Sequence, residues 1–252
     1  MHARYLSWFV VGLLIALQTS LLASPALQSQ EADYAYQPRK EEAYLQAWNL
    51  TFRRGGDGIF LTFLISNFGP GDLNHGVSLL LVQGGKSIVH TAEYAKNTLQ
   101  ATPGKFGHKS YIQRLWKEGS EIKSYINIKN VEIEISLQPQ AAGVRLSGGP
   151  VQLGSGSYFR ADVPIMAARG KARLKVNGKM EEWSGQGGME YIAANKSAHS
   201  FARRFTVIRT FAPGEGLFAG GLMGSGGFAD LYRVGFMEKG QLTGFAEVQE
   251  MK

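Results

Sequence analysis

A carboxylate, an aromatic ring and a pair of arginines surround a glycine run in EEWSGQGGMEYIAANKSAHSFARRF, residues 181–205. Glu190 follows the glycines and precedes Tyr191. A carboxyl there, turned into an apolar barrel, would keep its proton to a higher pH than in water and could act as an acid or base. Turned outward it is a solvated turn carboxylate, the commoner fate of an acid. Arg203 and Arg204 are adjacent, so in a strand one faces in and the other out. An inward arginine needs a carboxylate or a ligand head group as its partner. Glu182 has a plainer reading. With a two-residue turn at Asn177–Gly178 it faces Arg173 across a hairpin, and Ala172 and Leu174 share a face with Trp183.

Other chemical signatures are missing their context. SGQGGMEY and GGLMGSGG hold fragments of GxGxxG spacing, but no helical stripe follows Gly188 and no acid closes a βαβ unit, so these glycines are expected at tight barrel corners or bulges. Ser120–Lys123 matches SxxK at the edge of alternating strands, without the partner motifs. There are no cysteines, which excludes disulfides and thiolate ligands. The histidines, at 2, 75, 90, 108 and 199, include no pair with metal-ligand spacing. Neither a metal nor a cofactor is expected. The net charge of +7 comes from basic residues scattered along the chain. That favours plain solubility or an anionic membrane surface as partner over nucleic acid.

The elements that must position these residues read as strands. Residues 1–26 have a basic start at Arg4, an apolar run from Trp8 to Leu17, and small residues at Ala23, Ser24 and Ala26. That order is the order of a secretory signal, with cleavage after Ala23 or Ala26 and export to a periplasm or the exterior. A retained N-terminal anchor is the alternative. Residues 27–41 read as a polar linker or short helix. From Trp48 the pattern is alternating. Glycine turns are expected at Gly55–Gly58 and Gly84–Gly85, and a bulge or tight turn at Lys129–Asn130. Val131, Ile133, Ile135 and Leu137 mark one face of a strand. Only HTAEYAKNTLQ hints at a helix. Turn signals at short intervals indicate an all-β barrel or sandwich over residues 42–252, with a subdivision near 200–212. The aromatics, among them Trp48, Phe60, Phe63, Trp183 and Tyr191, then either fill a core or line a cavity.

Three stretches carry a family resemblance: EAYLQAWNLTFRRGGDGIFLTFLISN, the YF…P…GKARLKVNGKMEEWSGQGGMEY block, and SFARRFTVIRTF. Together they span most of residues 42–211. They resemble the lipocalin-like superfamily of yeast survival factor 1-like proteins, AttH-type proteins and carotenoid hydratases related to hydroxyneurosporene synthase. The resemblance implies a lipocalin-like antiparallel β-barrel, with a partial second barrel or sheet in a chain of this length. Some members bind or move lipids; others are hydratases or cyclases of terpenoid substrates. The hydratase-like members carry Trp, Asp and His after the glycine corner. This chain has Met189-Glu190-Tyr191-Ile192 there, and no histidine before His199.

The leading expectation is an exported barrel that binds a lipid or other apolar molecule. Trp48, Phe60, Phe63, Trp183 and Tyr191 would line its site, and Arg203 or Arg204 would meet a polar head group. An alternative is a hydratase, isomerase or cyclase with Glu190 as its acid or base. The other is a structural envelope module with a filled core. The direction of the Glu190 side chain discriminates between binding and catalysis.

Overall fold

The computed structural model describes residues 28–67, 73–212, 215–239 and 241–248. The stretch read as a secretory signal lies outside them. The chain builds a run of antiparallel hairpins: β1 (Tyr44–Arg54), β2 (Asp57–Asn67), β3 (Asn74–Gln83) and β4 (Lys86–Ala95). The β1–β2 and β3–β4 turns fall on the expected glycines, and Gly55, Gly84 and Gly85 all take the positive φ that suits glycine there. After β4 a 3₁₀ turn, Lys96–Thr98, is all that forms of the suspected helix. The meander continues through β5 (Gln100–Ala101), β6 (His108–Lys109), β7 (Gln113–Glu118), β8 (Glu121–Ile128) and β9 (Val131–Pro139). Lys129–Asn130 is the tight turn that reconciles the opposite alternation of β8 and β9. β10 (Val151–Gln152) flanks β11 (Tyr158–Val176), which turns at Asn177–Gly178 into β12 (Lys179–Ala194). Arg173 lies opposite Glu182 as the hairpin spacing requires, although its ion pair is made with Glu134, at 2.7 Å.

Strands β1 to β9, β11 and β12 form one curled sheet in the order β4-β3-β2-β1-β12-β11-β9-β8-β7-β6-β5, with β10 attached to β11. β4 and β5 stand at its two ends and do not pair. Side chains complete the circle. His75 of β3 contacts Thr98 Oγ1 at 2.7 Å and Gln113 of β7 at 3.3 Å. Tyr94 packs on both His75 and Tyr111. The interior is filled. Trp48, Leu50 and Phe52 of β1, Phe63 of β2, the alternating face of β9 and Trp183 of β12 are buried together in one core. Each such side chain contributes about 1.5–3 kcal/mol relative to an exposed position. The segment read as a linker is bonded across one end of this barrel. Trp48 Nε1 donates to Tyr34 O at 2.8 Å, and Gln46 Nε2 donates to Ala35 O at 3.0 Å.

A second sheet of β13 (Ala202–Ala212), β14 (Glu215–Gly224), β15 (Leu231–Glu238) and β16 (Gln241–Val248) packs on the outside of the β11–β12 hairpin. Two register shifts in β11, between Asp162 and Ile165 and between Ile165 and Ala168, bend this hairpin where it leaves the first core. Phe159, Val163, Met166 and Ala194 meet Phe201, Phe218 and Leu222 in a separate apolar core between the sheets. The result is a nearly all-β protein, a curled half-barrel with a smaller sheet against its flank.

Candidate ligand site between the two sheets

The glycine run of residues 185–188 lies inside β12, not at a corner, and none of its glycines has a positive φ. What these positions require is space. A Cβ on Gly185 would strike Arg53 O, and one on Gly187 would strike Thr51 O and Leu137. A Cβ on Gly188 would occupy the place of the Arg209 guanidinium. The strand beyond then alternates. Met189 and Tyr191 enter the barrel core, while Glu190 and Ile192 face the second sheet.

Glu190 is buried, and its partner is Arg209 rather than Arg203 or Arg204. Arg209 alternates with Phe205, Val207 and Phe211 on the face of β13 turned to the barrel. Its guanidinium crosses Gly188, pairs with Glu190 Oε1, and donates to the carbonyls of Ile165 at 2.7 Å and Met166 at 2.6 Å. These two carbonyls lie where the β11 bulges break the regular ladder, so the arginine occupies acceptors that the irregular strand leaves to it.

Beside this pair is a small cavity of about 40 Å³ between the sheets, walled by Leu146, Phe159, Phe205, Val207, Phe218 and Leu231. Room of that size holds about three waters. Glu190 and Asp162 are the two acids that line it. The Asp162 side chain is fully buried; Oδ2 accepts from Arg160 Nε at 2.7 Å, and Oδ1 has no partner among the described residues. Burial pushes its carboxyl up to about 6, against the opposing pull of Arg160. Arg160 also pairs with Asp33 at 2.5 Å, and Asp33 pairs with Arg145 at 2.8 Å. Burial acts to raise the Asp33 carboxyl, but bonds from Arg145, the Gln30 amide and Arg160 hold it below its ordinary value. A chain of alternating charges therefore runs from the barrel end to the cavity wall.

The other residues singled out from the sequence do not share one site. Trp48, Phe63, Trp183 and Tyr191 point into the barrel core, where Trp48 and Tyr191 pack with ring centroids 5.6 Å apart. Tyr191 OH accepts from Gln46 Nε2 at 2.5 Å. Phe60 lies on the outer face of β2, 44% exposed, apart from the others. Arg203 and Arg204 are exposed on β13, and neither forms an ion pair among the described residues. Asp162 and Arg209 escaped the sequence reading. The signal for Arg209 was the FxVxRxF alternation from Phe205 to Phe211; Asp162 is hidden by the bulges, which break the alternation around it. A wider polar recess of about 310 Å³ opens at the barrel end between Arg39, Tyr44, Tyr158 and Arg160. Its charged groups are already paired with one another or with neighbours.

These features define a lipocalin-like β-barrel protein with an added sheet. No family model matches the chain, and no curated protein matches it significantly. Solved structures do. One is CghA in its crystal structure with Sch210972, a protein of lipocalin-like, AttH-like fold. It aligns at a TM-score of 0.55 and 9% identity, over 86% of this chain and 68% of that one. At that identity the likeness is one of fold.

Proposed function

We propose that this protein binds an apolar molecule bearing a hydrogen-bonding group, held between the barrel and the second sheet. One observation carries the reading: an apolar cavity whose wall includes two buried carboxyls, one of them with an oxygen that has no partner among the described residues. Apolar walls with a few polar groups that fix orientation are the usual make-up of a small-molecule site. The barrel interior fits this role less well, because its aromatics already pack against each other. A ligand larger than a few waters enters by parting β13 from β11 and β12. Each methylene it buries contributes about 0.8 kcal/mol before association costs.

The test is uptake of a fluorescent fatty acid by the purified protein, with native mass spectrometry for ligands carried from the host. Val207→Trp fills the mouth of the cavity from an exposed position. It should abolish uptake and leave thermal stability unchanged. Uptake unaffected by Val207→Trp, or a protein that takes up no apolar probe, sinks the proposal.

A second reading is favoured by the same acids. Asp162 stays protonated to about pH 6, and Glu190 lines the same cavity, so the site could pass a proton to or from an apolar substrate. Deuterium exchange from solvent into a bound terpenoid alkene, lost in Asp162→Asn, separates catalysis from binding.

A further inference from the structure

We infer that the free edge strand β13 docks this protein on an anionic lipid surface and is the side from which the inter-sheet cavity is reached. β13 ends the second sheet, with β14 as its sole ladder partner among the described residues. Phe205 and Val207 face the barrel and line the cavity, yet they are 42% and 53% exposed. Inward-facing residues with that exposure mark the place where the two sheets stop covering each other. Ile208, on the opposite face of the same strand, is 49% exposed. Three large apolar side chains thus crowd one edge, where a soluble protein ordinarily places charges that block pairing.

Arg203 and Arg204 stand immediately before this apolar group, both exposed. The remaining residues between them and Phe211 are Thr206, Arg209 and Thr210, so no acid interrupts the strand. Exposed apolar residues beside unpaired arginines suit the boundary between lipid head groups and acyl chains. A second copy of the chain fits less well, because antiparallel pairing of two β13 edges about Val207 would set Arg203 and Arg204 of each copy opposite Phe211 and Thr210 of the other, where the strand has no acid to pair with them. The docking stands on this edge alone; the access route rests on the ligand reading above.

The experiment uses the full chain and vesicles of phosphatidylcholine, with or without phosphatidylglycerol. Sedimentation should show binding only to the anionic vesicles. Arg203→Gln with Arg204→Gln should lower the partition coefficient roughly 30-fold, at about 1 kcal/mol per arginine. Arg53→Gln with Arg169→Gln, two exposed sites on the barrel, should change it little. Because the chain has no cysteine, Ile208→Cys and Arg169→Cys can each carry an environment-sensitive dye at a single site. The dye at 208 should shift to the blue on anionic vesicles, and the dye at 169 should not. Equal losses from the two arginine pairs, equal dye responses, or a dimer broken by Ile208→Ser without vesicle binding would each overturn the docking. Vesicle binding with no fatty-acid uptake in solution leaves the docking in place and removes the ligand.

Discussion

Arg209 and Glu190 pair across the interface between the two sheets, and Gly188 provides the gap through which the guanidinium passes. One strand of the barrel and one strand of the second sheet are thereby joined by a buried charge pair. Losing one member leaves the other charge buried and uncompensated. Arg209→Met should therefore cost about 3–5 kcal/mol, and adding Glu190→Leu should recover most of it. Denaturant unfolding of the single and double variants checks this. A cost below about 1 kcal/mol for Arg209→Met would show that the pair does not hold the sheets.

Gly188→Ala tests the same contact from the other side. The added methyl lies on the Arg209 guanidinium and near Ile165 O. The loss should be about 2 kcal/mol or more, and it should not add to the loss from Arg209→Met, because both remove one interaction. Additive losses measured by denaturation would place the strain elsewhere.

Asp162 should give the protein an unusual dependence on pH. Its folded carboxyl titrates at about 6, above the ordinary 3.8, so the folded state holds the proton more tightly than the unfolded state. Its contribution is fully present at low pH and is lost as pH rises from about 4 through about 6. Asp162→Asn keeps the acceptor for Arg160 and removes the titration. The variant should gain on the wild type as pH is raised across that window, which thermal melts at stepped pH would show.

His108 works in the opposite sense. It is buried against Trp48 and Phe63, with neither ring nitrogen hydrogen-bonded among the described residues, and burial together with nearby His75 pushes it down to about 3. The unfolded state therefore takes up a proton that the folded state refuses, and stability falls as pH drops from about 6.5 toward 3. His108→Phe removes both the acid sensitivity and the unpaired polar atoms. It should raise stability at pH 5 by about 1–3 kcal/mol. A variant that melts no higher than wild type at that pH would refute the account.

Much of the fold was legible because strand alternation and glycine turns are local signals. The hairpins at Gly55–Gly56, Gly84–Gly85 and Asn177–Gly178 fall where the residues place them. The inward set on β9 is the set its alternation marks. The site was legible only in part. Glu190 reads as a buried acid once Met189 and Tyr191 are taken as core, but its partner lies nineteen residues on, in another sheet, and no local spacing selects Arg209 over Arg203 or Arg204. The glycine run misleads for a related reason. Glycine is needed there for what approaches the strand from outside, and a sequence does not display its own cross-strand neighbours. Asp162 stayed hidden because a bulge shifts the phase on which inside-and-outside reasoning depends.

The β11–β12 hairpin is longer than either sheet needs for itself. The half nearest Asn177–Gly178 pairs with β9 in the barrel, whereas the half nearest Phe159 and Ala194 serves both lobes: it pairs with β1 and sends Met189 and Tyr191 into the barrel core, and it carries the second sheet on its other face. The two lobes are thus cantilevered from a common beam. Severing the chain at that turn would yield two pieces, each with one strand of the beam and neither with a complete core. Such pieces should recover the native structure only by reassociating, and a cut made between the lobes in sequence would still leave the smaller sheet without its floor.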